Sequence, residues 1–319
     1  MRKLPLWMAL ATVLGVSSAA AQVYPSRTVK IVVPLPPGAT ADILPRIIAD
    51  KLTLKWAHPV IIENRPGAAQ NLGAEIVAKA DPDGYTLLAT PQGPLVISQH
   101  FYPKLGFDPE AFVPVTIMGT LSSTLVVNPK VPASTLRELI AFAKANPNKL
   151  SYASPGTGSP PHLAAAMLAT AAGVRLVHVP YQGLAPAMTD LLAGHVDMMF
   201  DNLGNTLPHI RDGRLRVLAT SSERRIPEFP DVPAVAEMYS GVVYTSWFAV
   251  VAPPKIPSEI VTRVSAAIAE VLRMPDVVTR LQTMSTTPGG QSPAESARLF
   301  AEERERWRKV IALAGIKAQ

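Results

Sequence analysis

Short, mostly apolar runs alternate with amphipathic stretches along the chain, and the two patterns predict strands and helices in turn. Thr28–Val33 has the length and composition of a buried strand, and a helical pattern begins at Thr40. The next strand, helix and strand are predicted at Val60–Glu63, Asn71–Lys79 and Tyr85–Ala89. Strand–helix–strand alternation favours an α/β fold with a mainly parallel sheet.

The same alternation continues to the end of the chain. Thr135 followed by Glu138, and Ser292 followed by Glu295, each fit a capping box that begins a helix. Further strands are predicted at Leu150–Ser154, Leu176–Val179, Val196–Phe200, Arg216–Thr220 and Val243–Val251, and further helices at Ser159–Ala172, Ser258–Arg273 and Pro275–Met284. These elements predict two α/β units.

The start of the chain has the pattern of a signal peptide. Arg2 and Lys3 precede an apolar stretch, Leu4–Val16, and the small residues Ala19–Ala21 follow it. We therefore expect residues 1–21 to be removed before Gln22, leaving a soluble protein exported to the periplasm. The alternative is an anchoring helix that stays uncut, although the apolar stretch is short for a membrane span.

Composition narrows the classes of protein. A chain of 319 residues is long enough for about two domains. With 48% hydrophobic and 17% charged residues it does not have the composition of a disordered protein. The absence of cysteine excludes disulfides, thiol nucleophiles and cysteine-bound zinc. A net charge of +6 without a basic stripe interleaved with aromatic residues makes nucleic acid an unfavoured partner.

Two loops share a design that suits an anion. Pro36–Ala41 and Ser154–Ser159 each lie between a predicted strand and a predicted helix. Their glycines allow backbone to approach a ligand, and a helix N-terminus attracts a carboxylate or phosphate. The candidate ligand contacts are Pro37, Gly38, Ala39, Thr40, Ala41, Ser154, Gly156, Thr157, Gly158 and Ser159. The alternative is a pair of ordinary strand-to-helix turns.

Polar residues follow three other predicted strands. Asp201 and Asn202 come after the strand Val196–Phe200, at the end where α/β folds bind ligands. Tyr181 and Gln182 follow the predicted strand Leu176–Val179, and Gln92 and Gly93 follow Tyr85–Ala89. These four residues are also candidate ligand contacts. The alternative for Tyr181 is simple packing at the domain surface, and for Asp201 an ordinary loop residue.

Enzyme and cofactor signatures are missing from the sequence. It contains no P-loop, no complete dinucleotide fingerprint and no G-x-S-x-G elbow. The six histidines form no close metal-binding pair, and His162 is interpreted as a structural hydrogen bonder in a first helical turn. We therefore predict no catalytic residue, no metal and no cofactor.

Several motifs together resemble one known family, the periplasmic solute-binding proteins of tripartite tricarboxylate transporters, also called the Bug family. The resemblance covers nearly all of the chain after the signal peptide. It rests on Val33–Gly38 with Asp42 and Arg46, Glu63–Ala68, Asp81–Leu88, Tyr152–Ser159 with His162 and Leu163, His178–Tyr181, and Asp231–Pro233. Ala39, Pro45, Ala166 and the Gln92–Pro94 loop depart from the usual family pattern.

The resemblance implies an α/β, two-lobed type II periplasmic-binding-protein fold with a ligand cleft between the lobes. Lobe 1 would comprise residues 22–122 and 248–319, and lobe 2 residues 123–247, joined by extended segments near Thr116–Val127 and Val242–Val251. It also implies that the loops Pro37–Ala41 and Ser154–Ser159 hold a carboxylate through amides and ordered waters, and that Asp201 helps to select the ligand.

The expected function is capture of a small organic carboxylate and its delivery to the large and small membrane subunits of a tripartite permease. We expect a monomer, and the sequence does not name the acid. The rival hypothesis is a hydrolase or lyase acting on a small carboxylic acid in the same cleft. A third is a sensor whose liganded form contacts a sensor kinase.

Overall fold

A computed structural model describes residues 24–38 and 40–314. The predicted signal peptide and Ala39 lie outside these ranges. The strands are β1 (Val29–Val33), β2 (Val60–Asn64), β3 (Thr86–Pro91), β4 (Val113–Val127), β5 (Ser151–Ser154), β6 (Val177–Pro180), β7 (Met198–Asn202), β8 (Arg216–Thr220), β9 (Thr245–Ala252) and β10 (Thr286–Pro288). The helices are α1 (Thr40–Trp56), α2 (Asn71–Ala78), α3 (Ser98–Phe101), α4 (Leu136–Ala145), α5 (Pro160–Ala172), α6 (Leu184–Ala193), α7 (Leu203–Arg211), α8 (Ser258–Leu272), α9 (Pro275–Thr283) and α10 (Pro293–Ala314).

The strands of the described residues form one mixed sheet in the order β2-β1-β3-β9-β4-β7-β5-β6, with β8 and β10 also paired to β4. The outer strands pair in parallel, β2 and β3 with β1, and β6 and β7 with β5. Every pairing of β4 and β9 is antiparallel. The prediction of a mainly parallel sheet is therefore wrong, because two long strands run back through the middle of the sheet.

Strand β4 belongs to both ends of the sheet. Its residues Val113–Ser122 pair with β9, and its residues Ser123–Val127 pair with β7 on one side and β8 on the other. We call β1, β2, β3, β9 and β10 with their helices the first half, and β5 to β8 with their helices the second half. The change of partner between Ser122 and Ser123 is where the two halves join.

Apolar packing continues across this junction. One buried cluster contains Leu88 from the first half and Leu163 and Phe200 from the second, together with Phe300 and Trp307 of α10. Helix α10 packs against both β4 and α5. The last helix therefore supports both halves, although the sequence assigned it to lobe 1.

Local sequence signals place most elements well. Both predicted caps form: Thr135 Oγ1 accepts from the Glu138 amide at 3.1 Å, and Ser292 Oγ accepts from the Glu295 amide at 3.3 Å. The glutamate returns a bond to the Ser292 amide in the second case, but to the Ser134 amide, one residue before the cap, in the first. Strand β7 begins two residues later than predicted, since the Asp197 carboxylate accepts from the Ser151 amide at 2.7 Å just before it. Asp201 accordingly lies on the strand, and its interpretation as a loop residue is wrong.

Candidate functional site

A cavity of about 70 Å³ lies at the junction of the two halves. The first half lines it with Leu35, Thr40, Ala41, Gln70 and Pro91, and the second half with Pro155, Pro160, Pro161, Leu184, Asp201, Asn202 and Asn205. Tyr244, Ser246 and Phe248, from β9 and the residue before it, line it where the strand runs through the junction. The lining contains no lysine or arginine. A bound anion must therefore be compensated by dipoles or by protonated groups.

A buried carboxylate organises the loop before α1. Asp42 is 2% exposed and accepts from the Gly38 amide at 3.0 Å and from two guanidinium nitrogens of Arg46 at 2.9 Å. Asn64 at the end of β2 also donates to it, at 2.7 Å. Burial alone would raise the pKa of Asp42, but these hydrogen bonds outweigh it and hold the pKa below its usual value. Arg46 thus stays on the first half and supports the loop instead of facing the cavity.

Two stacked imidazoles support the loop before α5. The rings of His162 and His178 lie 3.9 Å apart at 6° to each other, and the Tyr152 ring lies 4.9 Å from His178 and 6.1 Å from His162. His162 Nδ1 accepts from the Gly158 amide at 2.9 Å, while His178 Nε2 lies 2.7 Å from Ser154 Oγ. Burial lowers the pKa of His162 to about 3 and that of His178 to about 4, so both rings are neutral at neutral pH. The interpretation of His162 as a structural hydrogen bonder is confirmed.

Few amides of these loops remain for a ligand. The Gly38 and Gly158 amides donate to Asp42 and His162. Pro160 and Pro161 occupy the first two positions of α5 and have no N–H group. The design inferred from sequence, in which helix N-termini point free amides at an anion, therefore applies less to α5 than to α1, whose start at Thr40 and Ala41 lines the cavity.

Asp201 is the one acidic side chain of the lining. It is 3% exposed, and its Oδ1 accepts from the Asn202 amide at 2.7 Å and from Asn205 Nδ2 at 3.2 Å. Its Oδ2 is buried and has no hydrogen-bond partner within the described ranges. Burial raises the pKa of Asp201 to about 7, against the opposing effect of those two hydrogen bonds. A carboxyl group in this setting can donate a proton to a ligand oxygen from Oδ2.

The two halves touch at more than one place. Thr40 Oγ1 donates to Asn205 Oδ1 at 3.1 Å, and the Tyr102 hydroxyl donates to the Thr157 carbonyl at 3.1 Å. Gly158 lies so close to Phe101 that a Cβ there would be 2.8 Å from the ring. The loop Ser154–Ser159 of the second half therefore packs against α3 of the first half.

The predicted contacts divide into two sets. Thr40, Ala41, Asp201 and Asn202 line the cavity. Pro37, Gly38, Gln92, Gly93, Ser154, Gly156, Thr157, Gly158, Ser159, Tyr181 and Gln182 do not line it, and their ligand contacts stay predictions. The Tyr181 hydroxyl donates to Asp190 at 2.7 Å, and Ser159 Oγ and both polar atoms of the Gln92 side chain are buried without a partner in the described chain.

Sequence reasoning missed several lining residues. Tyr244, Ser246 and Phe248 come from β9 or the residue before it, and both faces of this strand are buried, so the sequence pattern does not show which side faces a cavity. Asn205 lies one turn after Asp201 and could have been found from that spacing. Gln70 follows a proline–glycine turn and carried no signal.

Within the described residues, the structure contains neither a cluster suited to a metal ion nor a membrane-spanning helix. Across residues 24–38 and 40–314, no group of three acidic or histidine side chains is placed to hold a metal ion. Of the helices described, none is long and apolar enough to cross a membrane.

A mixed sheet shared by two halves, with a cavity at their junction, is the architecture of periplasmic solute-binding proteins, and solved structures of that class match it. R. palustris Rpa4515 with adipate aligns with a TM-score of 0.88 at 35% identity, over 92% of this chain and 99% of that one. MatC from Rhodopseudomonas palustris with bound malate aligns with a TM-score of 0.84 at 31% identity, over 90% and 100%.

The sequence comparisons identify the family. The tripartite tricarboxylate transporter family receptor matches residues 44–316. Protein BugT of Bordetella pertussis is 35% identical over 300 residues, which cover 93% of this chain and 92% of BugT. The chain belongs to the tripartite tricarboxylate transporter receptors, and the family and the two-lobed solute-binding fold predicted from sequence are confirmed.

Proposed function

We propose that this protein captures a small organic carboxylate in the periplasm and delivers it to the membrane subunits of a tripartite transporter. The observation that carries the proposal is the cavity at the junction of the halves, lined by Thr40 and Ala41 on one side and Asp201 on the other. Solved relatives that share the fold hold adipate and malate. Family membership supports the delivery step and the role as a receptor instead of an enzyme.

Capture requires the halves to separate and close again. A cavity of about 70 Å³ leaves little room for a four-carbon acid, so we infer that the halves move apart to admit it. We assign the hinge to β4 and β9, the strands that run through the junction, with lobe 1 as residues 22–122 and 248–319 and lobe 2 as residues 123–247. The partner exchange between Ser122 and Ser123 supports this division. The ligand stabilises the closed state only through contacts made with both lobes.

A thermal-shift screen tests the function. Adipate, malate and other carboxylates are added to the purified mature protein, with 1,6-hexanediamine as a matched cation of the same chain length as adipate. An acid at 100 times its dissociation constant stabilises the fold by about 2.7 kcal/mol, which raises the melting temperature by a few degrees. The diamine leaves it unchanged. If no acid shifts the melting, or if the protein consumes an acid catalytically, the proposal is wrong.

A further inference from the structure

Gln70 lies in an unusual turn beside the cavity. It ends a short helical turn, Ala68–Gln70, that follows β2. Ala68, Ala69 and Gln70 have φ values of 47°, 49° and 78°, so three successive residues with side chains adopt the left-handed conformation that favours glycine. Strain of this kind persists where the surrounding structure fixes it, and it concentrates at functional sites.

Neighbouring contacts hold this turn in place. The Gln70 amide donates to the Gly67 carbonyl at 2.9 Å. The next residue, Asn71, accepts from the Ser98 hydroxyl at 2.8 Å, which ties the turn to α3. The left-handed backbone therefore fixes the direction of the Gln70 side chain, which lines the cavity.

Space is kept free for the Gln70 side chain. A Cβ at Gly93 would lie 3.2 Å from Gln70 Oε1, closer than ordinary contact. The φ of Gly93 is outside the left-handed region, so the backbone does not require glycine at this position. Gln70 Oε1 is buried and finds no partner among the described residues. A buried amide oxygen that the protein leaves unpaired is available to a ligand donor, and Nε2 of the same side chain is the group that can donate to a ligand carboxylate.

The loops after β1, β2 and β3 contribute Leu35, Thr40, Ala41, Gln70 and Pro91 to the cavity. Thr40 and Gln70 are the polar side chains of this set, and the Thr40 hydroxyl already donates to Asn205. Among the side chains of this set, the Gln70 amide is therefore the one that can meet a polar group of a ligand. On the opposite side it meets Asp201 and Asn202.

We propose that Gln70 contacts the ligand and selects acids with a second polar end over acids that end in an alkyl group. This proposal rests on the proposed function, because it names a residue that contacts and selects the ligand at the same site. The ligand class it implies is a bifunctional carboxylate, held between the Gln70 amide in one half and the polar residues around Asp201 in the other.

Matched acids test the proposal by titration calorimetry. Adipate and hexanoate share a six-carbon chain, as malate and 3-hydroxybutyrate share a four-carbon chain, and in each pair one carboxylate is replaced by a methyl group. The wild-type protein binds the diacid of at least one pair more tightly. Gln70→Ala weakens that diacid at least tenfold, the effect of one hydrogen bond to a charged group. It weakens the matched monoacid less than threefold, so the discrimination collapses.

Two further variants separate contact from backbone. Gln70→Glu keeps the shape but places a negative charge beside the second carboxylate, and it weakens the diacid at least as much as Gln70→Ala. Ala69→Gly relieves the same left-handed strain one residue earlier, does not alter the cavity lining, and keeps both affinities within threefold. Circular dichroism of each variant checks the fold.

The outcomes distinguish the two proposals. If the wild-type protein binds no acid of either pair, both the selection by Gln70 and the capture of these carboxylates are overturned. If it binds a diacid and Gln70→Ala retains both the affinity and the preference, the role of Gln70 is overturned while carboxylate capture stands. An equal loss for diacid and monoacid likewise overturns selection.

Discussion

Asp201, the acidic residue that lines the cavity, makes the charge of the site depend on pH. Its pKa is raised to about 7 by burial, whereas in the unfolded chain an aspartate titrates near about 3.9. The folded state therefore favours the protonated form. The stability that this protonation contributes is complete below about pH 4 and is lost as the pH rises through about 7. Near neutral pH the protein contains both forms of the site.

We expect the affinity for adipate to fall as the pH rises from 6 to 8. Protonated Asp201 can donate from Oδ2 to a carboxylate oxygen, whereas ionised Asp201 repels it. If only the protonated form binds, the dissociation constant rises by about tenfold over this range, following the fraction protonated around a pKa of about 7. Calorimetry at three pH values measures the change.

Asp201→Asn is the control for this pH dependence. Asparagine keeps a neutral donor of nearly the same shape, so binding by this variant should be flat between pH 6 and 8. A wild-type affinity that does not change over the range, or a variant that still loses affinity as the pH rises, would show that Asp201 does not set the dependence.

Among the structural elements, the loop Ser154–Ser159 is constrained from two directions. Its inner side rests on the neutral His162–His178 pair, and its outer side packs on Phe101 of α3. Gly158 is needed both for its φ of +79° and for its closeness to that ring. The sequence alone suggested that glycine is needed at position 158 so that a ligand can approach the backbone. The structure shows that glycine leaves room for Phe101 of α3.

Gly158→Ala should destabilise the protein more than Gly173→Ala does. Both positions are left-handed, at φ +79° and +64°, so both variants carry a backbone cost of about 1–2 kcal/mol. A Cβ at Gly173 meets nothing within 4 Å, while one at Gly158 meets Phe101 at 2.8 Å. Overpacking adds about 1–3 kcal/mol at Gly158. Urea denaturation of the two variants measures the difference.

Replacing the ring tests whether the excess comes from Phe101. In the double variant Gly158→Ala with Phe101→Ala, the atoms that clash are removed, and the two changes should cost less together than the sum of the single costs. Additive costs, or equal costs for Gly158→Ala and Gly173→Ala, would count against a constraint from Phe101.

Features set by residues close together in the sequence could be predicted, whereas features set by contacts between distant segments could not. The helix caps at Thr135 and Ser292 were predictable because a serine or threonine and a glutamate three residues later interact locally. The position of Ser246 at the cavity could not be predicted. Strand β9 is buried on both faces, and its register with β3 and β4 decides which of its side chains line the cavity. Gln70 was missed because no glycine marked its left-handed turn.

For the whole molecule, α10 connects what the sequence divided into lobes. Trp307 is fully buried in the apolar cluster shared by the two halves, and Arg304 donates to the Leu95 and Pro109 carbonyls while burial lowers the pKa of its guanidinium. The carbonyls that bind Arg304 lie about 200 residues earlier, so no local pattern in the sequence shows that its charge is partly buried. A continuous core predicts that the halves unfold together.

We expect Trp307→Ala to lower the free energy of unfolding by about 3–5 kcal/mol while leaving one cooperative transition. Leu54→Ala is the control, since Leu54 is 79% exposed and its loss should change stability by less than about 0.5 kcal/mol. Circular dichroism and tryptophan fluorescence follow the same denaturant titration. Two separate transitions, of which Trp307→Ala shifts only one, would contradict a shared core.

The contacts that close the cleft have a consequence for the speed of capture. If the free protein rests with Thr40 bonded to Asn205 and Tyr102 bonded to Thr157, ligand enters only during the fraction of time in which these bonds are broken. The association rate then reports how often the cleft opens, and the observed affinity is reduced by the rarity of that state. Weakening either bond would raise the rate at which ligand binds and also the rate at which it dissociates. A receptor with these contacts therefore binds its ligand more slowly but holds it longer, until it meets its transporter.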